Sequence, residues 1–339
     1  MAPTPLLSRR WDDEAMMARL LTILIAAIAL SACATAQLPG PQAERRIALT
    51  FDDIPRHQGA FYTTDERAEL LRATLRYASV EQAAFFVNPG HLHERVNGVE
   101  HVMAYMADGH VVANHTADHG SLSNLTLDEY FAEIDAAEAW LVQLDGHRPW
   151  FRYPYLNEGR RDHEKRDGVR AGLAERGLSN GYVTVDASDW FYDQAVSEAV
   201  RDGHELDMEA LGELFVESHV EAAAFFDDLA IRTVGRSPAH VMLLHEADVT
   251  VMFLPQLIDA LEADGWTIIT ADEAYTDPFG ELAATYDTPS AQGTLTEQVA
   301  WERGIPAPRW YTRNHIPTAR AAFNARVLGI EPTQQQAED

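Results

Sequence analysis

Short apolar runs alternate with longer amphipathic stretches along most of the chain. The apolar runs have strand character, and in the stretches between them apolar residues recur every three or four positions, the spacing of a helix. The predicted strands are residues 46–51, 82–89, 110–115, 149–156, 181–190, 239–247 and 266–274. The predicted helices are residues 64–78, 98–109, 126–144, 163–177 and 253–265, with a long helical excursion over about 193–235. This alternation predicts an α/β protein.

The order of these elements indicates parallel βαβ units, and seven or eight such units favour a barrel over an open sheet. No glycine-rich phosphate loop follows a predicted strand, which disfavours a nucleotide-binding sheet. Thr126 stands where the helix over 126–144 needs an N-cap. Five histidines without a partner at ligand spacing are expected on the surface: His91, His93, His101, His110 and His147.

The N-terminal region has the pattern of an export signal. Arg19 precedes an apolar run over 20–33, LLTILIAAIALSAC, which ends in small residues at Cys33, the single cysteine of the chain. LSAC resembles the lipobox of bacterial lipoproteins, which implies lipidation of Cys33. An ordinary signal-peptidase site at ATAQ, residues 34–37, is the alternative. A retained membrane anchor is disfavoured, because the strongly apolar part falls short of the ~20 residues that a span needs.

These features divide the chain into four parts. We expect an export signal and the start of a linker over 1–36, a linker over 37–44, a barrel over 45–276 and a C-terminal extension with an acidic tail over 277–339. The expected location is the periplasm or, as a lipoprotein, the outer membrane. Acidic residues outnumber basic ones by 53 to 26, for a net charge of −27, which argues against nucleic acid or anionic lipid as a partner. Contact with a membrane is expected only through the lipid anchor.

Polar residues follow the predicted strands, and in a parallel barrel functional side chains gather at the C-terminal ends of strands. The first strand ends in two adjacent carboxylates, Asp52 and Asp53, which repel each other unless a cation lies beside them. His115 and His119 stand four residues apart after a later strand. Two imidazoles and a carboxylate suit zinc or a similar divalent ion. Capping or surface roles are the alternative for the two histidines taken alone.

Five short motifs occur in a fixed order: TFDD (50–53), HTADH (115–119), RYPY (152–155), DASDW (186–190) and LLH (243–245). Over residues 45–275 the chain resembles the polysaccharide deacetylases, the NodB-homology group that forms carbohydrate esterase family 4. The resemblance implies a distorted (β/α)7–8 barrel and a divalent metal ion, commonly zinc, with cobalt or another divalent ion as the alternatives. It also implies removal of acetyl groups from N-acetylated sugars or acetylated xylan.

The resemblance also implies roles for residues at matching positions. Asp53, His115 and His119 would hold the metal ion, Asp52 would be the general base and Arg152 would position that base. His245 would be the general acid and Asp189 the carboxylate that tunes it. The backbone N–H of Tyr155 would stabilise the oxyanion, while Trp190 and Leu243 would wall the acetyl pocket. The chain departs from the family at Ile54 and Leu156, where glycine or another small residue is usual. Both departures are expected to reshape the substrate groove.

The resulting hypothesis is a metal-dependent hydrolase of carbon–nitrogen bonds other than peptide bonds. Its substrate would be the N-acetyl, or alternatively O-acetyl, groups of an envelope or extracellular polysaccharide or oligosaccharide. One alternative is a non-catalytic carbohydrate-binding lipoprotein on the same barrel. Another is a glycosidase that uses Asp52 with a second acid, although that reading gives His115 and His119 no role.

Overall fold

The computed structural model describes residues 44–330, and a parallel sheet forms its centre. The strands are β1 Arg45–Ile54, β2 Ala84–Val87, β3 Val111–Asn114, β4 His147–Phe151, β5 Asn157–Arg160, β6 Ser179–Asn180, β7 Ala239–His245, β8 Trp266–Ile268 and β9 Ala291–Gln292. The α-helices are α1 Thr64–Tyr77, α2 Gly98–Ala107, α3 Leu127–Leu141, α4 His163–Glu175, α5 Asp189–Arg201, α6 Met208–Val234, α7 Asp248–Ala263, α8 Ala271–Ala274, α9 Leu295–Glu302 and α10 Ile316–Arg326. The predicted α/β class is confirmed.

Strand β1 lies inside the sheet because its residues from Ile47 to Phe51 are apolar or small and fully buried. It pairs in parallel with β2, β7 and β8. The hydrogen-bonded order is β6-β4-β3-β2-β1-β7, and every pairing along it is parallel. The C-terminal ends of these strands therefore meet at one rim, where the residues following β1, β3, β4 and β7 come together.

The chain segment that begins with β6 contacts both edges of the sheet. β6 pairs with β4, and five residues after it Val185 pairs with Met242 of β7. The N–H of Val185 donates to the Val241 carbonyl at 3.0 Å, and the N–H of Leu243 donates to the Val185 carbonyl at 2.9 Å. The segment thus bridges the two edges of the sheet, but the strand ladder is interrupted between its two contacts, and the paired strands within residues 44–330 do not form a closed barrel.

The continuous strand expected over 181–190 is wrong. Within it, the Gly181 N–H donates to the Phe151 carbonyl, and the N–H groups of Thr184 and Val185 donate to the Val241 carbonyl. The ladder is interrupted between these contacts, because the carbonyls of Gly181 and Tyr182 accept hydrogen bonds from the Arg152 guanidinium instead of a neighbouring strand. Helix α5 then begins at Asp189, inside the expected strand.

The helices cover the sheet, and their buried faces form one main apolar core with β1, β2 and β7. The C-terminal extension joins this core through Ala300, Tyr311, Ala319, Phe323 and Val327. Strand β9 of the extension also pairs antiparallel with β5. The extension is therefore packed against the core, and this contact brings it to the rim.

Two of the five histidines expected on the surface are buried instead. His110 is 3% exposed, accepts a hydrogen bond from the Ala83 N–H at 3.2 Å, and has its pKa lowered to about 4 by burial. His101 is 8% exposed and contacts Asp65 at 2.8 Å. Their partners, Asp65 and Ala83, lie 36 and 27 residues earlier in the chain, and spacing along the sequence does not reveal such long-range contacts.

Thr126 caps helix α3, as the sequence predicts. Its hydroxyl accepts from the Glu129 N–H, and the Glu129 carboxylate accepts from the Thr126 N–H at 2.8 Å, which forms a capping box.

Replacing Thr126 with alanine removes an acceptor for a helix N–H. We expect the free energy of unfolding to fall by about 1 kcal/mol in urea titrations. Thr126→Ser is the control, because it keeps the hydroxyl and the capping box. Equal stability of the alanine and serine variants would show that the cap contributes nothing.

Several expectations lie outside the described residues. They are the export signal over 1–36, lipidation of Cys33, the linker before residue 44 and the acidic tail over 331–339. Within residues 44–330, the structure contains no helix that is both long and apolar enough to span a bilayer.

Candidate active site

The base predicted from the sequence, Asp52, lies at the end of β1 and is 3% exposed. Its Oδ1 accepts a hydrogen bond from Arg152 Nη1 at 2.6 Å. Arg152 is 1% exposed, and its guanidinium also donates to Thr50 Oγ1 at 2.8 Å and to the Tyr275 hydroxyl at 2.7 Å. These contacts fix the guanidinium, so one Asp52 oxygen is held while Oδ2 faces the imidazole of His115 at 3.7 Å.

Asp53, His115 and His119 come together beside Asp52. One ligand atom from each lies within 4.8 Å of the others. Asp53 Oδ1 is 3.4 Å from His115 Nε2 and 3.0 Å from His119 Nε2. Ligands of one tetrahedral zinc ion lie about 3.4 Å apart when each bond is about 2.1 Å.

The hydrogen bonds around these atoms favour a cation between them. The Nδ1–H of His115 donates to the Arg152 carbonyl at 2.8 Å, so a neutral His115 presents the lone pair of Nε2 to Asp53. Asp53 Oδ1 is buried and has no hydrogen-bond partner within residues 44–330. A buried oxygen facing a nitrogen lone pair is unfavourable unless a cation lies between the two atoms. The donor set therefore fits a divalent metal ion.

The predicted acid, His245, ends β7 and pairs with a buried carboxylate. Its Nδ1 contacts Asp189 Oδ1 at 2.7 Å, and Asp189 Oδ2 accepts from the His245 N–H and from Thr250 Oγ1, both at 2.7 Å. Burial alone lowers the pKa of His245, but the charge and hydrogen bond of Asp189, with a contribution from Asp53, raise it to about 9. The imidazole is therefore protonated at neutral pH, with Nε2 3.9 Å from Asp53 Oδ2.

Replacing Asp189 with asparagine should move the pH dependence of catalysis. A protonated His245 is present below its pKa and is lost as pH rises through that value. Without the Asp189 charge the pKa falls, so the alkaline limb of the kcat profile should move to lower pH. At pH 8 we expect kcat to drop about ten- to a hundred-fold, since a general acid contributes about 10²–10⁴ in total. Turnover rates measured from pH 6 to 10 test this, and an unmoved alkaline limb would contradict it.

The side chains of Tyr155, Trp190 and Leu243 line the same cavity as Asp52, Asp53, both metal-site histidines and His245. Tyr155 is 57% exposed, and its ring meets that of His119 edge-on at 4.6 Å. Leu243 is buried and Trp190 is partly exposed. All ten residues that the sequence predicts for the barrel site thus gather around one cavity or bind a residue in its wall.

Several residues at this rim have a left-handed backbone conformation, which residues other than glycine rarely adopt. Six non-glycine residues of the motif loops have positive φ: Asp53, Thr116, His119, Tyr155, Leu156 and Ser188. Left-handed backbone costs about 1 kcal/mol or more per residue and persists where the surroundings enforce it. Its concentration here fits loops that are shaped to hold side chains.

The two residues that depart from the family pattern, Leu156 and Ile54, lie in different surroundings. Leu156 lines the cavity and has φ 47°, so it lies where a side chain can change the shape of the groove. Ile54 is fully buried in the main core and does not line this cavity. The expectation for Ile54 is therefore wrong, because its side chain points into the protein rather than to the rim.

Sequence reasoning missed the residues that the C-terminal extension contributes to the cavity. They are Gln292, Gly293, Glu297, Gln298, Trp301, Arg309, Trp310, Asn314 and His315. Burial, with a contribution from the charge of nearby Asp186, raises the pKa of Glu297 to about 8. Burial likewise raises the pKa of Asp186 to about 6. The available signal in the sequence for a contribution of the extension to the cavity was the pair Trp301 and Trp310, which stand in a polar stretch.

Comparison with known proteins finds a matching family model, similar sequences and similar structures. A family model described as polysaccharide deacetylase matches residues 40–171. A chitin deacetylase from Colletotrichum lindemuthianum is 25% identical over 236 residues, covering 68% of this chain and 79% of the relative. A peptidoglycan-N-acetylglucosamine deacetylase from Bacillus cereus is 33% identical over 118 residues, covering 34% of this chain and 38% of the relative. Among solved structures, the Colletotrichum lindemuthianum chitin deacetylase matches 69% of this chain and 88% of its own, with 22% identity and a TM-score of 0.47.

Proposed function

We propose that this chain is a polysaccharide deacetylase of the NodB-homology group, carbohydrate esterase family 4, and that it removes acetyl groups from an envelope or extracellular glycan. It is accordingly a hydrolase acting on carbon–nitrogen bonds other than peptide bonds. The observation that carries the proposal is the cavity wall shared by Asp52, Asp53, His115, His119 and His245.

The chain's own residues supply a base, a metal site and an acid. Asp53, His115 and His119 would hold a divalent ion, which we propose to be zinc. When bound, such an ion supplies Lewis-acid chemistry that polarises a carbonyl oxygen and acidifies water. Asp52 is proposed to accept a proton from the attacking water at Oδ2, because Oδ1 is engaged by Arg152 at 2.6 Å.

The leaving amine requires a proton, and His245 is the proposed donor. Asp189 holds Nδ1, so Nε2 is the nitrogen left to face the cavity. Because the pKa of His245 is raised to about 9, the imidazole carries the proton at neutral pH. The backbone N–H of Tyr155 is proposed to donate to the oxyanion, and Trp190 and Leu243 to enclose the acetyl methyl group.

We also propose that the protein is exported and anchored through a lipid on Cys33. The support is the apolar run that ends in LSAC before the linker. Mass spectrometry of the protein from membranes of a bacterial host would find a diacyl- or triacylated N-terminal cysteine. An unmodified N-terminus at Gln37 would support ordinary signal-peptidase cleavage instead.

Acetate release from a panel of glycans tests the activity. The panel contains acetylated chito-oligosaccharides, peptidoglycan and acetylxylan, each with the metal-loaded protein and with chelator. We expect release from at least one substrate, and loss of that release with chelator. Binding without release would favour the carbohydrate-binding alternative, and new reducing ends without acetate would favour a glycosidase.

A further inference from the structure

The exposed tryptophans of this protein are concentrated in one place. Six tryptophans lie within residues 44–330, and three of them are more than a third exposed: Trp190 at 37%, Trp301 at 36% and Trp310 at 52%. All three line the cavity that contains Asp52 and His245. Exposed indole rings gathered in a groove mark a ligand-binding surface more often than a folding requirement.

Two of these rings come from the C-terminal extension, which is hydrogen-bonded to the loops that carry the active-site motifs. The Gly293 N–H donates to the Leu156 carbonyl at 3.1 Å. Asn314 Nδ2 donates to the Asp186 carbonyl at 2.9 Å, and Ser188 Oγ donates to Asn314 Oδ1 at 3.1 Å. The extension is therefore attached beside the Tyr155 loop and beside the segment that leads to Asp189.

Buried neighbours fix the two indoles of the extension. Helix α9 buries Val299 and Ala300 in the core, so that Trp301 emerges at its last turn. Trp310 precedes Tyr311, which is 5% exposed and donates its hydroxyl to Glu221 at 2.7 Å. Both indoles are thus exposed although the residues beside them are buried in the protein.

The cavity is larger than one acetylated sugar needs. Its volume is about 1190 Å³, above the range of about 300–1,000 Å³ typical of sites for drug-sized ligands. Asp186, Glu297 and Gln298 also stand in its wall, so the cavity presents polar groups as well as indoles.

We propose that Trp301 and Trp310 form a stacking platform for a sugar ring next to the one that loses its acetyl group, so that the C-terminal extension selects oligomeric over monomeric substrates. This inference rests on the proposed function for the identity of the ligand as a glycan. Pyranose rings have an apolar face of C–H groups, which packs on an indole as other apolar groups do.

The test compares Trp310→Ala and Trp301→Ala with the wild type as metal-loaded proteins. With N-acetylchitohexaose we expect KM to rise about tenfold in each variant with kcat nearly unchanged. With p-nitrophenyl acetate, which is too short to reach the platform, kinetics should equal those of the wild type. Trp310→Phe should restore most of the affinity, since it keeps a flat apolar ring. Tyr77→Ala is the matched control, because Tyr77 is 87% exposed on α1 and lines none of this cavity.

Binding separates this inference from the proposed activity. Titration calorimetry with N-acetylchitohexaose is performed on Asp52→Asn protein with and without Trp310→Ala. A tenfold weaker affinity in the double variant supports the platform even if the wild type releases no acetate. Equal affinities, or no measurable binding of the hexamer to the Asp52→Asn protein, would overturn the platform even if acetate release were established.

Discussion

Replacing Asp52 with asparagine should lower kcat for acetate release by about 10²–10⁴-fold while leaving the protein folded. The amide of asparagine has the shape of the carboxylate but cannot accept the proton of the attacking water. The asparagine oxygen can still accept the hydrogen bond that Arg152 Nη1 donates to Asp52 Oδ1 at 2.6 Å in the wild type. Arg152 also keeps its bonds to Thr50, Gly181 and Tyr275, so the buried guanidinium does not lose all its acceptors.

The matched control is Asp193→Asn, since Asp193 is another acid in the wall of the same cavity and has no place in the proposed chemistry. Its asparagine variant should keep wild-type kcat. Stopped assays of acetate, with thermal melting to verify folding, measure both. Wild-type rates in Asp52→Asn, or an equal loss in Asp193→Asn, would remove Asp52 from the role of base.

Replacing His119 with alanine should abolish metal binding and lower kcat/KM by more than about 10²-fold, because one of the three proposed ligands is lost. His119 is the better choice than His115 for this experiment. The His119 side chain is 20% exposed, whereas His115 is buried and hydrogen-bonded to the Arg152 carbonyl, so its loss would also disturb Arg152. Elemental analysis should find about one metal ion per wild-type chain and far less in the variant.

His91→Ala is the control for this second prediction. His91 lines the cavity adjoining Asp53 and His119 but does not belong to the ligand group. Its variant should keep both the metal ion and the activity. Full metal content in His119→Ala would mean that the ion is bound elsewhere.

Much of this site could be predicted from the sequence because parallel strands collect their C-terminal ends at one rim. Asp52, His115, Arg152 and His245 each follow an apolar run, so a correct order of strands places them together. The Asp189–His245 pair rested on motif resemblance alone, and the structure shows its physical basis in a 2.7 Å contact.

The remainder depends on long-range packing that periodicity does not encode. The segment after β6 has strand-like residues, but Gly181 and Tyr182 use their carbonyls for Arg152, which lies 29 and 30 residues earlier. The extension carries no repeating pattern, and it reaches the rim through the β5–β9 pairing and through hydrogen bonds of Gly293 and Asn314 to residues far earlier in the chain. Ile54 is next to Asp53 in sequence, yet the left-handed backbone of Asp53 accompanies a register shift in β1 between Phe51 and Ile54, and Ile54 lies in the core.

The most direct measurement is an anomalous difference map at the zinc absorption edge from crystals grown with Zn²⁺. The account predicts one strong peak about 2.0–2.2 Å from Asp53 Oδ1 and from Nε2 of both His115 and His119. A map without a peak there, or with the strong peak bound by other side chains, would contradict it.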